Sequence, residues 1–233
     1  FDEKNIKISF GVMTDMHFKD AASVAKFERA VEVTEQFAGR VPDAVMMCGD
    51  YTYEGRADEI EAFLAEVKKA YDPSKTALAI AYGNHDTYWT GCLKPDGWYD
   101  IINELFYFQA DDSQPKAGNH HIIVNGFHFL TVELKKYATN VYDTSTKKWL
   151  EETLDAIVDE NPNQPIFVAT HAAVRNTIYG SDRELEQGIT DWGTSTDLDT
   201  VLQFYPQVVL FSGHSHYGVG LDRAIMQSDY TAV

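Results

Sequence analysis

Apolar segments rich in β-forming residues alternate with amphipathic segments along the chain. Residues 6–14 predict a strand, and residues 21–38 a helix with Val24, Phe27, Val31 and Phe37 on one side and Gly39 as its stop. Residues 44–48 form a second predicted strand. In the next helix Ile60, Phe63, Leu64 and Val67 stand at i, i+3, i+4 and i+7, a spacing that puts all four on one face. Asp72-Pro73 marks a turn, and residues 77–82 a third strand. Residues 87–119 are less regular, with a short helical pattern near 101–106. Residues 121–124 and 127–132 flank Asn125-Gly126 and predict a hairpin, because Asn-Gly tolerates the positive φ angles of a tight turn. A helix over 146–159, a strand over 165–170, a loop over 175–194, a short helix over 197–205 and a strand over 208–211 complete the pattern.

Strands that alternate with helices predict parallel pairing with helices covering the sheet, and the hairpin adds an antiparallel element. Two mixed sheets packed face to face, with helices outside, satisfy both. There is no internal repeat and no composition break, so residues 1–233 are expected to form one domain. A hydrophobic fraction of 44% in 233 residues supports a sizeable core. No apolar run approaches the ~20 residues of a membrane helix. The chain begins at Phe1 rather than Met, so the missing signal sequence leaves cytoplasmic and secreted locations both open.

Two cysteines, Cys48 and Cys92, exclude a disulfide-stapled scaffold, and Cys48 lies in an apolar strand where a buried thiol is ordinary. The net charge of −17 disfavours long nucleic acid as a partner, and no basic run reverses it. Bound cations would offset part of that charge.

Polar residues gather where strands end. Asp15 and His17 follow the first strand, Asp50 the second, and Asn84, His85 and Asp86 the third. His171 follows the strand at 165–170, and His214 and His216 the strand at 208–211. Strand C-termini of a parallel sheet share one edge, where ligands gather. Treated as extended, Asp15 and His17 point the same way, and so do His214 and His216. Carboxylate, amide and imidazole without thiolate suit Mn, Fe, Zn or Co better than Ca or Mg. Seven of these groups, on Asp15, His17, Asp50, Asn84, His171, His214 and His216, exceed what one ion takes but fit two ions that share a carboxylate.

The ordered motifs Asp-x-His, Gly-Asp, Gly-Asn-His-Asp, a lone His after a strand and Gly-His-x-His resemble the calcineurin-like metallophosphoesterase family. The resemblance implies a four-layer αββα sandwich, an α/β fold, with a dinuclear metal centre. It implies that Asp15, His17 and His216 bind one ion, that Asn84, His171 and His214 bind the other, and that Asp50 bridges them. His85 is implied as the proton donor, and Asp86 as a supporting residue of the catalytic set. Two ions ~3.5–4 Å apart then lower the pKa of a shared water and neutralise charge growing on the phosphate. Such folds usually add strands after Gly-His-x-His. Only residues 221–233 remain here, so a C-terminally shortened chain or a narrower sheet is expected.

Within the family, protein serine/threonine phosphatases place Asp and Arg where Tyr53 and Glu54 stand, so that branch is disfavoured. Purple acid phosphatases have a ligand Tyr at the position of Tyr53 but Gly where His17 stands, so a colourless or weakly coloured protein is expected. The small bacterial-type phosphoesterases remain. The expected substrate is a small phosphoester such as a nucleotide, cyclic nucleotide or glycerophosphodiester, with a nuclease or a non-catalytic scaffold as alternatives. Asn84, Arg175, Tyr51 and Tyr88 are candidate substrate contacts, and Tyr53, Trp89, Tyr179 and Tyr217 also flank the motifs. For His120, His121 and His128, packing is the ordinary role.

Overall fold

The computed structural model describes residues 3–72, 74–87, 119–134, 142–181, 197–217, 220 and 224–233. Strands β1 (Phe10–Met13), β2 (Ala44–Cys48) and β3 (Ala77–Ala81) pair in parallel in that order. A second sheet runs β4-β5-β6-β7-β9-β8, from β4 (His120–Val124), β5 (Phe127–Thr131), β6 (Ile166–Ala169), β7 (Val208–Phe211), β8 (Met226–Gln227) and β9 (Thr231–Ala232). Its middle, β5-β6-β7-β9, is parallel, while β4 and β8 pair antiparallel at the two edges. The β4–β5 turn has φ of 51° at Asn125 and 82° at Gly126, the geometry the Asn-Gly pair predicts. Connections are made by α1 (Ala21–Ala38), α2 (Ala57–Ala70), α3 (Asn84–Thr87), α4 (Thr144–Glu160) and α5 (Asp199–Leu202).

The side chains sort into three cores. Between the sheets, Ala44, Met46, Cys48, Ala77, Ala79 and Ala81 meet Ile122, Phe129, Phe167 and Ala169. Small residues on one sheet make room for rings on the other, and Phe10 packs on Phe129 at 5.2 Å and on Phe167 at 4.6 Å. The alternate residues of the first sheet, Val45, Met47, Leu78 and Ile80, pack with Phe27, Ile60, Phe63 and Val67 of α1 and α2. On the far side, Leu130, Val168 and Leu210 pack with Leu150, Leu154 and Ile157 of α4 and with Leu198, Val201 and Leu202 around α5. That order, helix–sheet–sheet–helix, is the expected αββα sandwich.

Helix α1 starts where Asp20 caps it. The Asp20 carboxylate accepts from Ser23 N–H at 2.9 Å, and Ser23 Oγ accepts from Asp20 N–H at 3.1 Å. It stops at Gly39, whose φ is 67°. Phe37 does not join the apolar side of this helix. It is 96% exposed, because its position falls roughly 80° around the helix from Phe27.

Other departures have local causes. The first strand begins at Phe10 because Ser9 and Asp43 bind each other just before the pairing of Phe10 with Ala44, so residues 6–9 have no strand beside them. The short helix at Asn84–Thr87 and the two-residue strands β8 and β9 are too brief for a periodic signal. The residues after the last motif thus add strands to the second sheet after all. The segment 88–118 and most of the loop at 175–194 fall outside the described residues. No described helix is long and apolar enough to cross a membrane.

Phe129 is fully buried between the sheets. Phe129→Ala is expected to destabilise the fold by about 3–5 kcal/mol, read as a lower urea midpoint at unchanged slope.

Candidate metal centre

The loops that follow β1, β2, β3, β6 and β7 meet at one edge of the sandwich and are joined by their backbones. Asp15 N–H donates to Gly49 O at 3.0 Å, His17 N–H to Asp50 O at 2.9 Å and Phe18 N–H to Tyr51 O at 2.8 Å. Gly213 N–H donates to His171 O at 3.0 Å. These segments are not extended. Asp15, His17, Asp50, His214 and His216 all have φ between 47° and 69°, and the other such non-glycine residues among those described are Asn125 and Asn176. Their side chains therefore converge through left-handed turns, not through the two-residue alternation of a strand. Each costs about 1 kcal/mol or more, which the surrounding hydrogen bonds must offset.

Two groups of ligating atoms result. Asp15, His17, Asp50 and His216 form one, and Asp50, His171 and His214 the other, with atoms in each lying within 4.8 Å of one another. Asp50 belongs to both through one oxygen. Its Oδ2 is 3.9 Å from His17 Nε2 and 3.2 Å from His171 Nε2. His171 Nε2 also lies 3.1 Å from Asn84 Oδ1 and 3.1 Å from His214 Nδ1. In the first group His216 Nε2 is 3.1 Å from Asp15 Oδ1 and 3.3 Å from His17 Nε2. Ligands ~2.0–2.2 Å from a shared cation stand about 2.9–3.5 Å from one another, a range that the spacings of 3.1–3.3 Å meet and the 3.9 Å from His17 Nε2 to Asp50 Oδ2 exceeds.

In His171, Asp15 and Asp50 the remaining atoms are committed elsewhere, which aims the ligating ones. His171 Nδ1–H donates to the Cys48 carbonyl at 2.7 Å, leaving the Nε2 lone pair for the centre. Asp15 Oδ2 accepts from Thr14 Oγ1 at 2.6 Å and from His214 N–H at 3.0 Å, and Oδ1 is left for the site. Asp50 Oδ1 accepts from His85 N–H at 2.8 Å, and Oδ2 is left.

Electrostatics points the same way. Burial works to raise Asp15, but hydrogen bonding from His216 and the neighbouring His171 hold it well below the usual carboxylate range. Burial disfavours charge on His171, yet the Asp50 carboxylate beside it pushes its pKa up to about 9. A positive charge is what this cluster of buried carboxylates draws in, and cations provide it.

Of the other candidates, Asn84 is buried against His171. Asp86 is fully buried behind the centre, where its carboxylate accepts from the backbone N–H of Asp50 at 2.8 Å, Gly83 at 2.8 Å and Thr52 at 3.0 Å. It braces the loops and does not border the crevice. Burial and the Asp50 charge push its pKa upward. His85 lies beside the first group, 4.7 Å from the His17 ring between centroids. Tyr51 is not a substrate contact. It is fully buried and stacks on Phe63 at 4.4 Å, because the parallel bridge of Phe18 with Thr52 turns it into the helix-side core. Arg175 is half-buried in the loop after β6, and Tyr88 and Trp89 lie outside the described residues. His120, His121 and His128 belong to neither group, and His121 Nε2 and His128 Nδ1 share a hydrogen bond of 2.8 Å.

Several contributors carry no motif signal. The carbonyls of Cys48 and Tyr53 act through the backbone, which no side-chain pattern reveals. Lys19 stands 4.3 Å over the Tyr53 ring, which is itself 5.8 Å from His85.

Motif glycines are set by space. A Cβ on Gly213 would fall 1.9 Å from Thr14 Oγ1 and 2.7 Å from Asp15 Oδ2, and one on Gly83 would fall 2.0 Å from Asp50 Oδ1. Gly213→Ala is expected to destabilise the fold by about 1–3 kcal/mol and to reduce bound transition metal below that of the parent. Metal analysis of dialysed protein and urea unfolding check both.

The family model for calcineurin-like phosphoesterases matches residues 8–218, a span that includes every motif from Asp15 to His216. No curated protein matches the chain. With a model matching most of its length and the site at the common edge of its two sheets, the chain belongs to the calcineurin-like phosphoesterase family.

Proposed function

We propose that the protein hydrolyses a small phosphoester at a dinuclear transition-metal centre, with Asp15, His17 and His216 holding one ion, Asn84, His171 and His214 the other, and Asp50 bridging. The observation that carries this reading is Asp50 Oδ2, one buried oxygen placed between two histidine-containing groups. The oxygen and nitrogen donors favour Mn, Fe or Zn. When bound, such a pair of cations supplies an activated water near neutral pH and takes up charge on the phosphate oxygens.

The chain's own residues do the rest. His85 Nδ1–H donates to the Tyr53 carbonyl at 2.5 Å, which fixes the ring and leaves Nε2 as the nitrogen that gives a proton to the leaving oxygen. Asp50 ties that ring to the centre through the His85 N–H. Asp86, by gripping the Asp50, Thr52 and Gly83 backbones, holds the two loops at a constant separation.

A small substrate is favoured on two grounds. The net charge of −17 repels polyanions. A cavity of about 340 Å³ beside the first group is lined by Asp15, His216, Tyr179 and Tyr217 among others. Its volume suits a small organic group, and the two tyrosines meet edge to face at 4.8 Å.

Rates of the Mn-loaded protein on an aryl monoester, an aryl diester, nucleotides, cyclic nucleotides and glycerophosphodiesters test the substrate class. Efficient cleavage of long DNA with all of these untouched would overturn it. Asp50→Ala is expected to lose metal from both positions, and retention of two tightly held ions would remove the bridging role. His85→Asn is expected to keep its metals and lose about 10²–10⁴-fold in kcat on alkyl esters, with a smaller loss on activated aryl esters. Equal losses on both would contradict the proton-donor role.

A further inference from the structure

The loop between β2 and α2 presents the carbonyl that orients His85. Asp86 grips the start of that loop at Asp50 and Thr52, and a second buried carboxylate holds the part beyond Thr52. Glu59, in the first turn of α2, is only 4% exposed. Its Oε2 accepts from three successive or nearby backbone N–H groups: Glu54 at 2.7 Å, Tyr53 at 3.2 Å and Arg56 at 3.4 Å. The Tyr53 N–H also reaches the Phe18 carbonyl at 3.2 Å, so the loop is pinned on one side to the segment carrying His17 and on the other to α2. Tyr53's own carbonyl is then the acceptor for His85 Nδ1–H.

We propose that Glu59 is a positioning residue for the proposed proton donor: it gathers the N–H groups of residues 53–56 so that the Tyr53 carbonyl stands where the His85 ring needs it. This inference rests on the proton-donor role of His85 given above. A side chain with a backbone carbonyl as its orienting partner depends on the shape of a loop, and a loop's shape depends on where its N–H groups are satisfied. A carboxylate oxygen accepting several N–H bonds in a buried setting is a strong anchor, because charge-assisted hydrogen bonds are about twice as strong as neutral ones. Removing it would leave the Glu54 and Arg56 N–H groups to find new partners and the Tyr53 N–H with the Phe18 carbonyl alone, and the loop would shift with them. Glu59 itself touches neither group of ligating atoms, so the metal positions do not depend on it.

The leaving-group profile of the Mn-loaded, full-length protein provides the test. Glu59→Ala is expected to keep the parent's metal content and KM and to lose about 10- to 100-fold in kcat on alkyl phosphoesters, part of the 10²–10⁴-fold that a positioned acid supplies. On activated aryl esters, which need little proton donation, its kcat is expected to stay within about threefold of the parent. Glu59→Gln retains an amide oxygen that accepts the same bonds and is expected to restore most of the alkyl-ester rate. Adding His85→Asn to Glu59→Ala is expected to leave the leaving-group bias as in His85→Asn alone. If Glu59→Ala proves too unstable to purify with its metals, Glu59→Asp, one methylene shorter, is judged by the same profile. Loss of rate by an equal factor on both ester types, or no loss on either, would overturn the inference. Equal defects in the Gln and Ala variants would do the same. A bias in His85→Asn that is absent from Glu59→Ala would remove only the role of Glu59, whereas no bias in His85→Asn would remove the proton donor itself.

Discussion

The two oxygens of Asp50 have different partners, and that division organises the site. Oδ1 accepts from the His85 backbone, which ties the third loop to the second. Oδ2 faces His17 on one side and His171 on the other, one from each sheet. A carboxylate buried to 1% exposure is costly unless charge and hydrogen bonds surround it. Here they do so only because loops from both sheets arrive at the same point. The sheets meet through alanines on one side and phenylalanines on the other, which brings the C-terminal ends of β2 and β6 close. The packing of the core and the geometry of the centre are therefore one constraint.

Much of the site's precision comes from backbone, not side chains. Five candidate ligands adopt left-handed conformations; the Asp15 and His17 N–H groups pair with the loop after β2, and the His214 N–H reaches Asp15 Oδ2 from the other sheet. Asp86 adds a carboxylate that accepts from the backbone of two loops, at Asp50 and Thr52 on one and at Gly83 on the other. Such strain persists where the surroundings over-determine it. The motif glycines fit this account, since Gly83 and Gly213 stand where a Cβ would strike a carboxylate.

Charge follows the same logic. The acidic excess of the chain extends into the centre, where Asp50 and Asp86 are buried and Asp15 is half-buried beside them. His171 responds with a raised pKa, the direction in which a nearby positive charge is favoured. A metal cation answers that demand more fully than a proton, because it satisfies several donors at once.

Taken alone, the sequence determined the alternation of elements, the αββα class and a set of candidate metal ligands at five strand ends. Hydrophobic period and the order of short motifs are local and survive without coordinates. It also carried α1 and β2 to their observed limits, because the Gly39 stop and the apolar runs coincide with them. Only the tertiary structure decided how the ligands converge. A left-handed turn at Asp15 or His214 leaves no mark on residue type, since it depends on partners about 34 to 199 residues away. It likewise decided that Tyr51 is core and that a backbone carbonyl braced by Glu59 holds His85. Those outcomes arise from what a side chain meets across the fold, and no local pattern encodes that.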